Sequence, residues 1–242
     1  MNVPVLLFAA VALWAQGASA QTIHAVTETG SQTMVVDGKV VGPWTEGVKL
    51  ILKNAGLPDY RISVYPWARA YQLALHEPNT LIYPIARTAA RERQFKWVGE
   101  MQTVHYHFVK LADRKDIVIK RLDDARAYSI GVVRDDVRHQ YLQAHGFANL
   151  YVGAKWNDNV THLLNRQIDV LILGELDLVP LCAAQALDCA MFEQLPAVEE
   201  LTTNLYLAFA RSTPETVVNR ARMAYDRLKA DGTIERVVNA KP

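Results

Sequence analysis

YRISVYPWARAYQLALHEPNTLIYPI, residues Tyr60–Ile85, is the stretch that decides the fold class. Its opening run, Tyr60–Tyr65, reads as a strand bounded by a turn residue. Pro66 follows. Proline lacks the backbone donor that the first turn of a helix leaves unused, and its φ is preset, so it suits a helix start. Trp67–His76 then reads as that helix, and Leu81–Ile85 is a short apolar run of the kind a strand shows when both its faces are covered.

The same alternation continues outward in both directions. Toward the N-terminus, Thr22–Thr27 reads as a strand and Trp44–Asn54 as an amphipathic helix ending at Gly56. Toward the C-terminus come a strand at Tyr128–Val133, a helix at Val137–His145 stopped by Gly146, and a helix at Asn157–Arg166. A fully apolar strand at Ile168–Leu173, a helix at Leu176–Ala186 and a long amphipathic helix at Thr216–Ala230, closed by Asp231-Gly232, complete the series. Strands alternating with helices predict an α/β fold with largely parallel sheets. There is no repeat, low-complexity tract or Pro/Gly-rich linker, so a two-domain arrangement needs a boundary made by crossing strands rather than a tether.

Half of the 242 residues are hydrophobic, 21% are charged and the net charge is +1. That is ordinary globular chemistry, with no basic excess to draw nucleic acid or an anionic membrane as partner. Residues 1–20, MNVPVLLFAAVALWAQGASA, carry no charged side chain. The apolar run from Val3 to Ala15 is shorter than the roughly 20 residues of a bilayer span, and Ala18-Ser19-Ala20 precedes Gln21 as a signal peptidase requires. We therefore expect an export signal cleaved after Ala20, the alternative being an uncleaved anchor or a buried first helix. No Cys follows the run to take a lipid, and no later segment is long and apolar enough to insert. The two cysteines, Cys182 and Cys189, suit one disulfide closing a short loop in an oxidising compartment, or else two free buried thiols. They are too few for a structural zinc site.

Catalytic signatures are missing: there is no G-x-S-x-G, no H-E-x-x-H and no phosphate loop. His105 and His107 alternate on one strand and so share a face, but no third ligand accompanies them, and no metal or cofactor is expected.

Six segments, in this order and spacing, resemble one family. They are DGKVVGPWTEGVKLILKNAG (Asp37–Gly56), YPWARAYQLAL (Tyr65–Leu75), ARTAARERQFKWVGEM (Ala86–Met101), YSIGVVRDDVRHQYLQAHG (Tyr128–Gly146), NRQIDVLILGE (Asn165–Glu175) and the C-terminal strand and helices of Leu205–Val238. Together they are similar to the extracellular solute-binding proteins of family 3, the polar amino-acid-binding type of periplasmic receptor. The resemblance implies a type II periplasmic-binding-protein fold, in which two α/β lobes are joined by two crossing strands and the ligand lies between them. Laid onto this chain, lobe one is residues 21–104 plus 203–242 and lobe two is 105–202, with crossings near Thr103–His105 and Thr202–Leu205. It also implies a periplasmic monomer that binds a small carboxylate-bearing solute, an amino acid or related organic acid, and serves a membrane transporter of the ABC type or a sensor. The protein would then be no enzyme. The contrasting class is an enzyme on the same fold, such as a cyclohexadienyl dehydratase-like lyase, which would need Glu28, Glu175 or a histidine as acid or base.

The resemblance also places candidate ligand-binding residues. Arg91 matches the arginine that holds the ligand's carboxylate, a task suited to a planar guanidinium that offers two parallel charge-assisted bonds. Thr88, three residues earlier, would offer its hydroxyl and backbone N–H to the same group. Trp67 falls where an aromatic wall meets the ligand, though an ordinary core tryptophan is equally consistent with its position. Arg87 is either a second cation at the rim or half of an ion pair.

Two departures stand out. Small residues normally follow the lobe-two strand, whereas here the turn is Arg134-Asp135-Asp136. Arg134 can reach toward the ligand, and Asp136 is placed to cap the next helix. The acid expected five residues after Asp169 is replaced by Gly174, which leaves Glu175 or Glu28 as the candidate for meeting an amine.

Overall fold

A computed structural model describes residues 22–240; the export signal and cleavage site read in residues 1–20 lie outside the described residues. In chain order the elements are β1 (Ile23–Thr27), β2 (Met34–Val36), β3 (Lys39–Val41), α1 (Pro43–Asn54), β4 (Tyr60–Val64), α2 (Trp67–His76), β5 (Thr80–Ala86), β6 (Phe95–Val104), β7 (Tyr106–Leu111) and β8 (Ile130–Val133). They continue with α3 (Val137–Ala144), β9 (Leu150–Gly153), α4 (Trp156–Leu164), β10 (Val170–Gly174), α5 (Leu178–Ala184), β11 (Phe192–Ala197), β12 (Thr203–Ala210), α6 (Glu215–Ala230) and α7 (Thr233–Val238).

Two five-stranded sheets organise them, in the orders β4-β1-β5-β12-β6 and β11-β7-β10-β8-β9, with β2 and β3 forming a separate hairpin. Parallel pairing is confined to three strands of each sheet: β1 with β4 and β5, and β8 with β9 and β10. The rest pairs antiparallel, β12 with β5 and β6 in one sheet and β7 with β10 and β11 in the other. The sheets are therefore mixed rather than largely parallel. The reason lies in the connections. β6 leads out of the first sheet straight into β7 of the second, and the chain returns from β11 into β12, so these strands form no βαβ crossovers.

Helices cover both faces of each sheet, which is why β1 is buried at every residue. On one face of the first sheet α1, α6 and α7 pack Val48, Leu52, Val218, Tyr225 and Ile234 against Ile23, Leu81 and Phe209. α1 begins with proline, carries Glu46 in its first turn and Lys53 in its last, and stops at Gly56, whose φ is +64°. On the opposite face α2 buries Trp67, Ala70, Tyr71 and Ala74, an i, i+3, i+4, i+7 stripe, beside Phe95 and Trp97. The second sheet has its own two cores, one around Phe108, Ile130 and Ile172, the other around Val109, Leu163 and Leu171. Truncating a fully buried leucine such as Leu52 to alanine is worth about 2–5 kcal/mol.

The two crossings lie side by side. His105, between β6 and β7, places Nδ1 3.2 Å from Oγ1 of Thr202, just before β12. His107, within β7, donates from Nδ1 to the Leu195 carbonyl at 2.8 Å. Each ring thus has its own partner, and among the described residues no group of three potential metal ligands gathers. Cys182 of α5 and Cys189 are joined in a disulfide with Cα atoms 5.6 Å apart. No helix among the described residues is long and apolar enough to cross a membrane.

Candidate functional site

The segments that follow β1, β5, β8 and β10 at their carboxyl ends meet between the sheets, where open α/β sheets bind ligands. They enclose a cavity of about 450 Å³, lined from the first lobe by Glu28, Ser31, Gln32, Thr33, Trp44, Trp67 and Arg91, and from the second by Tyr106, Asp136, Arg138, Trp156, Glu175 and Asp177. That volume falls in the range of small-molecule sites.

Arg91 enters from the turn after β5 and is 1% exposed. All its bonds go to neutral acceptors: Nε donates to Gln140 Oε1 at 3.1 Å, Nη1 to the Ala86 carbonyl at 3.3 Å and Nη2 to the Asp135 carbonyl at 2.9 Å. Its guanidinium also lies over the rings of Tyr71 and Trp67. Burial, without a paired carboxylate to offset it, pushes its pKa below the usual arginine range. The Asp135 carbonyl accepts a second bond at 2.9 Å, from Trp67 Nε1. Asp135 holds a left-handed φ of +60°, a conformation Asp tolerates better than most residues. Two first-lobe donors therefore converge on one second-lobe oxygen.

The second lobe brings its own buried arginine. Asp136 caps α3 by accepting from the Arg138 backbone N–H at 2.9 Å, and the same carboxylate receives Arg138 Nε at 2.5 Å and Nη2 at 2.9 Å. Nη1 donates to the Ile172 carbonyl at 2.9 Å, and the guanidinium lies 3.9 Å from the Trp156 ring centroid. Burial opposes the charge on both partners, but their mutual attraction prevails: Arg138 is held above its ordinary pKa and Asp136 below.

The remaining acids have no such partner. Glu28, in the loop after β1, forms no side-chain hydrogen bond among the described residues; burial first, and the nearby Asp136 second, push its carboxyl up to about 8. Asp177 accepts from Ser31 Oγ across the cleft at 2.8 Å and from the Gly174 N–H at 3.0 Å. A side chain at Gly174 would put its Cβ 2.8 Å from Asp177 Oδ2 and 3.0 Å from Val104 Cγ1, so an acid there would have to displace both side chains. Gln32 Oε1, Thr33 Oγ1 and Trp44 Nε1 are buried without a hydrogen-bond partner.

No family model and no curated protein matches the sequence. Solved structures do match. A histidine kinase sensor domain with similarity to periplasmic binding proteins superposes with a TM-score of 0.80 at 15% identity, covering 90% of this chain and 94% of its own. An ancestral arginine-binding protein bound to arginine gives 0.76 at 13% identity, covering 89% and 96%. An amino acid ABC transporter substrate-binding protein from Streptococcus pneumoniae bound to L-arginine gives 0.72 at 15% identity, covering 90% and 92%. The chain has the periplasmic-binding-protein fold. Identities this low carry the fold and leave ligand and partner to be argued from the residues.

On that binding-protein fold, four of the seven candidate residues, Glu28, Trp67, Arg91 and Glu175, line the cleft. Three do not. Arg87 turns to Glu92, donating from Nε at 2.8 Å and Nη2 at 2.7 Å at an exposed site. Arg134 is exposed on the second lobe. Thr88 serves the turn locally, its carbonyl accepting the Arg91 N–H at 3.0 Å. Arg138 and Asp177, with the 31–33 segment, are cleft residues that the sequence reading did not single out. A faint signal existed for Arg138, which stands two residues beyond the capping Asp136.

Proposed function

We propose that the protein is a solute receptor of the periplasm, closing its two lobes about the paired crossings to trap a small organic molecule. The observation that carries this reading is the cavity lined from both lobes and bridged by hydrogen bonds from Ser31, Trp67 and Arg91 to the facing lobe. A solute that contacts both walls favours the closed arrangement in proportion to its extra affinity for it. The expected export signal and the disulfide suit an oxidising compartment outside the cytoplasm.

An amino acid or related organic acid is the solute class we propose. Its carboxylate would meet Arg91 by taking the place of the Asp135 carbonyl, because the donors of Arg91 and Trp67 already aim at one oxygen position. The partner would be an ABC-type transporter or a membrane sensor, and the similar structures include a representative of each. A thermal-shift screen of amino acids, organic acids and amines tests the receptor reading: a bound solute raises the melting temperature and is recovered unchanged. Solute affinity that survives Arg91→Ala unaltered would remove the carboxylate clamp.

One observation supports a second reading. A cleft carboxyl at about 8, that of Glu28, has the poise of a general acid. Conversion of a bound solute to product, lost in Glu28→Gln, would establish an enzyme instead.

A further inference from the structure

We propose that the cleft selects an organic cation, whose ammonium or guanidinium group is received by Glu28 and Asp177 with Gln32 and Thr33 beside them, and that a carboxylate on the solute is not required. The inference rests on the receptor reading and narrows its solute class: it keeps amino acids that carry a cationic group and drops organic acids that carry none.

Charge in the cleft is unbalanced. Asp136 and Arg138 neutralise each other through a bidentate contact. Arg91 is separately committed to carbonyl and amide oxygens. Three acids, Glu28, Glu175 and Asp177, then remain on the lining, and among the described residues none of them forms a salt bridge; Glu28 keeps its proton near neutral pH until a cation displaces it. An anion entering this space would face these acids across the cleft.

A second, independent feature points the same way. Gln32 is 8% exposed and Thr33 only 1%, both line the cavity, and Gln32 Oε1 and Thr33 Oγ1 have no hydrogen-bond partner among the described residues. Buried polar atoms are rarely left unmatched in a folded protein. A donor-rich head group satisfies them, since an ammonium offers three N–H donors and a guanidinium five. Trp44 and Trp67 supply aromatic surface for the body of such a solute. The state of Glu28 fits as well. Asp136, Arg138 and Asp177 surround it, and the acids outweigh the one arginine that faces it. A cation seated there restores the ionised form, so binding near neutral pH releases a proton.

The test uses the exported chain with named probes: agmatine, cadaverine and tyramine as cations without a carboxylate, L-arginine as a cation with one, and glutarate and benzoate as anions. The expected result is a raised melting temperature with at least one carboxylate-free amine and none with either anion. Glu28→Gln should weaken that amine at least tenfold by calorimetry while the melting temperature of the unliganded variant is kept or raised. Calorimetry in buffers of differing ionisation enthalpy should show a proton released by the wild type and not by Glu28→Gln. Binding of glutarate or benzoate without amine binding, or an unchanged affinity in Glu28→Gln, overturns the inference and leaves the receptor reading standing. No shift with any probe or with the wider solute screen overturns both.

Discussion

Each lobe buries an arginine at the cleft, and the two are held in opposite ways. Arg138 shares two bonds with Asp136, its neighbour across the first turn of α3, and the pair neutralises itself within the second lobe. Arg91 has no acid, and two of its three donors reach across to Gln140 and the Asp135 carbonyl of the other lobe. One arginine belongs to the architecture of a single lobe. The other belongs to the closed relation between lobes, because its partners are in place only when the lobes meet. Burial alone therefore does not distinguish the two arginines; the kind of partner does.

The sharpest way to break this contrast is Asp136→Ala. It leaves Arg138 charged and buried without a counter-ion, at a cost of about 3–5 kcal/mol, and urea denaturation should show it. Replacing both partners, Asp136→Ala with Arg138→Met, should restore much of that loss. Arg91→Met comes next. It removes bonds to neutral acceptors but also removes the buried charge, so the expected loss is about 2 kcal/mol, accompanied by a larger radius of gyration in X-ray scattering as the lobes part. A loss equal to that of Asp136→Ala, or an unchanged radius, would show the two arginines to be alike.

Glu28 predicts an effect of another kind, one that depends on pH. In the unfolded chain its carboxyl ionises near 4.5, and in the folded protein near 8. Below 4.5 both states hold the proton. From there to 8 only the folded state does, so this one group lowers stability by about 1.4 kcal/mol for each pH unit gained, and above 8 its slope vanishes. The melting temperature of Glu28→Gln minus that of the wild type should widen across this window, with Asp136, Arg138 and Asp177 as the neighbours that set its size. Smallest of all is Arg87→Ala. Its exposed pair with Glu92 is of the kind that contributes little, and both melting temperature and solute affinity should stay within error of wild type.

Local chemistry was readable before the structure, and long-range chemistry was not. The strand, proline and helix of Tyr60–His76 appear as read, because each signal lies within a few residues of the structure it dictates. Asp136 caps α3 for the same reason. The antiparallel half of each sheet was missed because pairings such as Leu205 with Ala86 leave no periodic trace in either segment. Arg91 was placed in the cleft through the resemblance of Ala86–Met101, but its acceptor on Asp135 lies 44 residues away. Nothing near Arg91 announces that a neighbouring lobe fills its fork. At Gly174, where an acid was expected, the Asp177 carboxylate stands close by and accepts from the Gly174 N–H at 3.0 Å.

The return of the chain into β12 has a consequence for biogenesis. Every strand of the second sheet, β7 through β11, comes from one uninterrupted stretch, so that lobe has all its material once β11 has emerged. The first lobe begins earlier yet waits for β12, which sits between β5 and β6 and ties Thr103 to Asn204 across 101 residues. Until that strand arrives, β5 and β6 present unpaired edges, the form most open to wrong pairing with another chain. The lobe translated first is thus completed last, and its leading strands must be kept from aggregating until the final sixth of the chain, which begins with β12, has followed.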